Sequence, residues 1–257
     1  MANRIWEYLG TWGLAKFLGR QAFVPKVTFD WLLPIFPDLD LPIYEEIKHC
    51  NLSLQRIREV DSLDTLKERV QGQHLIFEKW YVLPRVVLPY LDEARKLFRF
   101  ADDLVLKVNQ TIRAVGGEGR VLVAVHVRRT DYIGFLVNRY HLTIANKFYY
   151  LDAMDWFRKN IGGKLLFLIV SDDPPWCELN LLGQEDVVMA SKDTYHDLAL
   201  LTLADHNIID YGTYGAFAGL MTKGHTVTLF SIDFDQVMAK YKNWHVMDER
   251  KYMTKLQ

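Results

Sequence analysis

The sequence has little that would tie it to a membrane, a nucleic acid or a disulfide framework. It carries only two cysteines, Cys50 and Cys177, far apart in a chain of 257 residues. They allow at most one disulfide and match no zinc-ligand spacing, so the redox compartment stays open. No apolar run approaches the roughly 20 residues that a membrane-spanning helix needs, and no signal peptide is visible. Charge of one sign is scarce as well: 31 basic residues face 32 acidic ones, a net charge of −1. No overall field favours nucleic acid or a membrane surface, and a bound anion must be held by a local cluster. Internal repeats and low-complexity tracts are missing too. The two N-glycosylation sequons, at Asn51 and Asn109, are of a kind that chance supplies.

What is present is the composition of a globular protein: 50% hydrophobic, 25% charged and 13% aromatic residues. Disorder and collagen-like structure are excluded, and the length suits one large domain or two compact halves. The break at Gly116-Gly117-Glu118-Gly119 is the expected boundary, dividing the chain into residues 1–116 and 117–257. Upstream, Ile5, Leu9, Trp12 and Lys16 fall on successive turns, which predicts a helix over residues 3–18 with Gly19 as its C-cap. A short strand is expected at 21–24, ended by Pro25, then a capped helix from Asp61 to about Val70. A strand at 75–77 and helices over 88–100 and 103–115 complete this half. Trp6, Trp12, Trp31 and Trp80 are read as core or groove lining.

Downstream the pattern is more regular. Continuous apolar runs predict strands at 121–127, 164–170, 186–189, 207–209 and 226–230. Between them lie helices over 195–204 and 214–221, and one whose face carries Ile144, Phe148, Leu151 and Met154. Apolar strands alternating with helices indicate an α/β fold with a parallel sheet covered on both faces.

In such sheets ligands bind outside the carboxyl ends of the strands. Four predicted strand ends carry polar chemistry: His126-Val127-Arg128-Arg129-Thr130-Asp131, Ser171-Asp172-Asp173-Pro174, the stretch from Ser191 to Asp197, and Asp210-Tyr211-Gly212-Thr213-Tyr214-Gly215. An arginine leaving a strand end can offer a fork of donors to a phosphate or carboxylate. Neighbours on an extended backbone point to opposite sides, so one of Arg128 and Arg129 is expected to face a ligand. The plainer alternative is an Arg129–Asp131 ion pair that pins the loop. Gly212-Thr213-Tyr214-Gly215 lets backbone N–H groups and a helix N-terminus approach an anion, or is simply a tight turn. It is neither a P-loop nor a dinucleotide fingerprint. Asp172 and Asp173 lack a third carboxylate or histidine at ligand spacing, so strand-end hydrogen bonding is expected there rather than a metal. His126, inside an apolar strand, is expected as a hydrogen-bonded core histidine.

The segment His126-Val127-Arg128-Arg129-Thr130-Asp131-Tyr132 resembles the His-x-Arg-Arg-x-Asp motif of GDP-fucose-dependent fucosyltransferases. The α1,2 branch, glycosyltransferase family 11, fits best. The run from Tyr150 to Arg158 resembles that branch's helix after the motif, and the run from Asp197 to Gly215 its carboxyl-terminal signature. Ser171-Asp172-Asp173 has its counterpart in the wider superfamily. The likeness is strong over residues 120–235 and weaker over 3–37.

The resemblance implies a GT-B-like fold of two Rossmann-type halves, an acceptor side followed by a GDP-fucose-binding side. It implies inverting transfer of L-fucose from GDP-β-L-fucose to a glycan acceptor, at the 2-OH of a terminal galactoside. By motif position Arg128 contacts the β-phosphate, with Arg129 and His126 supporting the loop, and Asp172 is counted among the donor-binding residues. Asp197 reads the guanine edge, and Gly212, Thr213 and Tyr214 hold phosphate or ribose. Asp131 is the nearest candidate for the base. No metal and no nucleic acid are expected. Golgi residence follows from the resemblance to membrane-anchored relatives. The family opens with a strand and a glycine turn before its first helix; here Met1-Ala2-Asn3-Arg4 starts inside that turn, so an incomplete first half is expected. That gap leaves room for a different function, a sugar-nucleotide-binding protein without transferase activity.

Overall fold

One parallel sheet organises the carboxyl-terminal part of the chain, and helices packed through aromatic side chains organise the amino-terminal part. The structure is a computed structural model that describes residues 1–57, 66–67, 74–77, 84–229 and 243–256. It divides into two units, Met1–Ala101 and Asp102–Gln257.

In the first unit, α1 (Ala2–Leu18) buries Ile5, Trp6, Leu9 and Trp12 and ends where Gly19 takes φ 63°. The N–H groups of Gly19 and Arg20 reach back to the carbonyls of Lys16 and Ala15, the C-cap expected from the sequence. Residues 21–24, expected as a strand, form only one parallel bridge, Val24 to Ile43, because Pro25 leads straight into α2 (Lys26–Leu32). Trp31 on that helix is exposed rather than core. Strands β1 (Leu54–Ile57) and β2 (His74–Phe77) pair in parallel. The helix expected from Asp61 lies outside the described residues except at 66–67, which are helical, and Trp80 lies outside them altogether. The helix expected over 88–100 is broken into α3 (Pro84–Val87), a 3-10 turn at Leu88–Tyr90 and α4 (Leu91–Leu97). Pro89 removes a donor from the helical ladder and crowds the carbonyl of Arg85. Past the end of α4, the rings of Phe98 and Phe100 pack on Phe36 at 5.0 and 4.9 Å.

The second unit runs α5 (Asp102–Ala114), β3 (Val121–Val127), α6 (Thr130–Tyr140), α7 (Lys147–Asn160), β4 (Leu165–Ser171), α8 (Pro174–Asn180), β5 (Val187–Met189), α9 (Thr194–Leu203), β6 (His206–Ile209), α10 (Thr213–Met221), β7 (Thr226–Leu229) and β8 (Trp244–Met247). Helix α5 belongs to this unit, upstream of the glycine break expected to be the boundary. Its Leu104 and Val108 are buried, and Thr111 Oγ1 lies 2.9 Å from Nε2 of His196 on α9. The glycines are therefore the turn that joins α5 to β3.

The six strands are all parallel, in the order β5-β4-β3-β6-β7-β8. Ranked within the unit this is 3-2-1-4-5-6, the doubly wound order. The predicted strands hold to within a residue, except that Phe230 lies outside the described residues. Central β3 buries Val123, Val125 and Val127 completely, and each such side chain contributes roughly 1.5–3 kcal/mol.

Helix α7 corrects an expectation. Its buried face is Tyr149, Tyr150, Ala153, Met154 and Phe157, while Phe148 is 58% exposed and Ile144 precedes the helix. The Asn146 side chain accepts the Phe148 N–H at 3.0 Å, and this cap sets the rotation of the first turn. Cys177 on α8 is fully buried, which pushes its thiol up to about 11, whereas Cys50 is exposed. At the amino edge of the sheet His206, His225 and His245 stack beside Trp156, with His225 Nδ1 2.9 Å from His245 Nε2. Among the described residues no helix is long and apolar enough to cross a membrane.

Candidate functional site

Strands β3 and β6 are neighbours, and the chain leaves them toward opposite sides of the sheet, so their carboxyl ends form the switch point where open α/β sheets bind ligands. The loops there are Arg128-Arg129 and Asp210-Tyr211-Gly212. At their centre is Asp210, a completely buried carboxylate. Its Oδ1 accepts from His126 Nδ1 at 2.9 Å and the Tyr211 N–H at 2.8 Å. Its Oδ2 accepts from the Arg128 N–H at 2.6 Å and the Tyr150 hydroxyl at 2.9 Å. Burial, with the Asp210 charge adding to it, pushes the Tyr150 hydroxyl well above the usual phenol range, so it stays a donor.

The two arginines part as extended neighbours should. Arg128, about one-third exposed, sends its guanidinium to Asp131 at 2.7 Å and to Asp172 at 3.2 Å. Arg129 turns inward, bonding Asp173 at 3.0 Å and lying 3.8 Å over the ring of Trp176. The expected Arg129–Asp131 pair is thus an Arg128–Asp131 pair. The reason is local: a helix begins at Thr130 with Arg129 as its N-cap, so Asp131 sits in the first turn beside Arg128 while Arg129 turns away to Asp173. Asp172 also accepts the Arg129 N–H at 2.9 Å and the Thr130 hydroxyl, and Asp173 caps α8 through the Trp176 N–H. Both carboxylates are thus engaged by organic donors. Among the described residues no group of three His, Cys, Asp or Glu side chains is arranged to hold a metal.

The turn into α10 needs its glycines. Gly212 has φ 89°, and a Cβ there would sit 2.6 Å from the Tyr132 hydroxyl. At Gly215 a Cβ would come within 2.9 Å of His126 Nδ1. Tyr132 stacks on Tyr211 with ring centroids 5.0 Å apart, and Tyr214 lies 5.3 Å from the His126 ring with its hydroxyl on the Thr194 carbonyl at 2.6 Å. Thr213 opens α10 beside them. His126, Arg128, Arg129, Asp131, Asp172, Gly212, Thr213 and Tyr214 therefore gather at one edge. Asp197, on α9, is buried and turned into its own loop: it accepts the Ser191 hydroxyl at 2.5 Å and the Lys192 N–H at 2.8 Å, and lies 3.1 Å from His196 Nδ1. Sequence reasoning met Asp210, Tyr150 and Tyr132 only as parts of longer segments and gave them no role, and it passed over Trp176. For Asp210 the signal was present, a carboxylate at the end of an apolar strand.

The sequence model of the family described as Glycosyl transferase family 11 matches residues 1–248. The chain belongs to that family. Among curated relatives of this family, it is 29% identical to galactoside 2-alpha-L-fucosyltransferase SEC1 of Bos taurus, over 89% of this chain and 64% of that protein. It is 27% identical to galactoside alpha-(1,2)-fucosyltransferase 2 of Gorilla gorilla gorilla, over 89% of this chain and 68% of that one. The family 11 chain thus spans about two thirds of the length of these relatives. Its fold is similar to NodZ alpha-1,6-fucosyltransferase soaked with GDP-fucose, with TM-score 0.53 and 12% identity over 86% of this chain and 89% of that one. A mutant of Arabidopsis thaliana FUT1 in complex with GDP also gives TM-score 0.53, with 10% identity over 90% of this chain and 68% of that one. The α/β, GT-B-like fold expected from the family 11 resemblance is the fold of this chain.

Proposed function

We propose that the chain transfers L-fucose from GDP-β-L-fucose to a glycan, with inversion, at the 2-OH of a terminal galactoside. One observation carries the reading: a guanidinium fork, Arg128, stands at the switch point 5.7 Å from the ring of Tyr132, whose hydroxyl abuts Gly212, the N-cap of α10. The departing GDP gains charge on its β-phosphate as the sugar becomes oxocarbenium-like, and a fixed cation stabilises that charge without a metal. Arg128 has this role. Its pair with Asp131 is solvent-accessible, and such pairs contribute about 0–1 kcal/mol, so a phosphate displaces Asp131 at little cost.

Arg129, locked between Asp173 and Trp176, and His126, locked by Asp210, hold the loop. Gly212, Thr213 and Tyr214 present the opening N–H groups of α10 to phosphate or ribose. Asp172 steadies the Arg128-Arg129 backbone. Asp197 acts on the guanine side through the loop it holds, which presents Ser191 and Lys192. Asp131, freed from Arg128 by the donor, is the candidate to take the acceptor proton. The first unit is the acceptor side, and Golgi residence follows from the family resemblance. The test is turnover: the purified chain, given GDP-fucose and a β-galactoside, releases GDP and forms an α1,2-fucosylated product. GDP binding without product would leave a sugar-nucleotide-binding protein instead.

A further inference from the structure

We propose that Asp210 is a positioning residue of the donor site, fixing the His126 ring and the direction in which Arg128 leaves β3. This rests on the fucosyl-transfer reading. A carboxylate offers about four acceptor sites, two on each oxygen, and Asp210 fills all four with donors. An ionised carboxylate satisfies all four at once: the Arg128 and Tyr211 N–H groups can only donate, one to each oxygen, and the His126 ring and Tyr150 hydroxyl donate to it as well. His126 accordingly carries its hydrogen on Nδ1, and Nε2 is the nitrogen left to other partners.

Three of the four donors lie in the loops of the site itself: His126, the Arg128 backbone and the Tyr211 backbone. The fourth, Tyr150, ties the cluster to the buried face of α7. Gly215 lets α10 close on the same His126 nitrogen, so the ring is held from two sides. The Arg128 backbone is fixed by Asp210 while its side chain is fixed by Asp131 and Asp172. Packing alone asks for no charge at the end of β6. A buried charge that saturates itself on site loops is what geometric control of Arg128 requires.

The test uses the full chain and Asp210→Asn. Whichever way the amide turns, its NH2 group faces a backbone N–H, that of Tyr211 or that of Arg128, so the cluster must open. The expected result is a fall in kcat of about 100-fold with little change in KM for GDP-fucose. Nitrogen-15 NMR of His126 should move from the Nδ1–H form to a mixture. A variant that melts lower but keeps kcat below its melting point and keeps the Nδ1–H form has lost only glue, and overturns the proposal. If Asp210→Asn does not fold, Tyr150→Phe decides, since it removes one donor and keeps the carboxylate. It should lower kcat roughly tenfold, the scale of one charge-assisted hydrogen bond, and unchanged kcat overturns the proposal. If the wild type transfers no fucose, the functional reading fails separately. The tautomer still judges Asp210, because an unchanged His126 signal in Asp210→Asn is the refuting outcome; where only Tyr150→Phe folds, an unchanged shift of the Arg128 amide, which shares Oδ2 with the Tyr150 hydroxyl, refutes instead.

Discussion

The two edges of one sheet carry opposite kinds of polar chemistry. At the carboxyl edge Arg128, Arg129, Asp172, Asp173 and Asp210 are charged, and each is matched by a partner. At the amino edge His206, His225 and His245 lean on one another and on Trp156, and burial together with the neighbouring His225 holds His206 and His245 below the usual histidine range. Matched opposite charges keep an edge poised for a charged ligand. Like groups stacked together keep an edge neutral, and make it sensitive to protons.

The sharpest break in this contrast is Arg128→Ala. Transfer should lose on the order of 3 kcal/mol of transition-state stabilisation, more than 100-fold in kcat/KM, with the melting temperature nearly unchanged. Arg128→Lys should restore little, because a point charge does not reproduce the planar fork. Near-normal turnover by the alanine variant would remove Arg128 from its role.

Gly215→Ala comes next. The added methyl meets His126 Nδ1 and the Ile209 side chain, so about 1–3 kcal/mol of stability should be lost, read by thermal melting. Turnover should fall with it, since the displaced ring is the one Asp210 holds.

The amino edge gives a smaller, pH-dependent effect. His206 and His245 have folded values below 6.5 and near 6.5 when unfolded, so below that pH the unfolded chain binds more protons. Stability from this edge is therefore present above about pH 6.5 and declines as pH falls; Asp205, which favours the charged form of His206, opposes the trend. Melting followed from pH 7.5 to 5.5 should show the decline, and His225→Gln should lessen it, since burial, the larger cause, remains. A flat wild-type profile would sink the idea. The smallest effect is none: excess EDTA should leave turnover unchanged, and rescue of a chelated enzyme by manganese alone would mean that a cation shares the work of Arg128.

The sheet was legible because strands buried on both faces read as unbroken apolar runs, as from Val121 to Val127. Strand β8 was not, since only Trp244 of its four residues is fully buried. Helix α8 announced itself through Asp173-Pro174-Pro175, a cap followed by prolines in the first turn, and the signal was overlooked. The arginine pair was visible as a motif, but its partners depend on whether residue 130 is extended or helical. Asp210 gains its meaning only when β3, β6 and α7 are brought together, which no local pattern encodes.

The burial of Cys177 supplies a native reporter. Its thiol lies under α8, one residue after the Trp176 ring that supports Arg129, while Cys50 in the other unit is open to reagent. A thiol-reactive dye should consume Cys50 at once and Cys177 only when α8 lifts. The slow phase then measures how often the floor beneath Arg129 opens, and a nucleotide that braces that arginine should lengthen it, giving a ligand assay that needs no acceptor and no turnover.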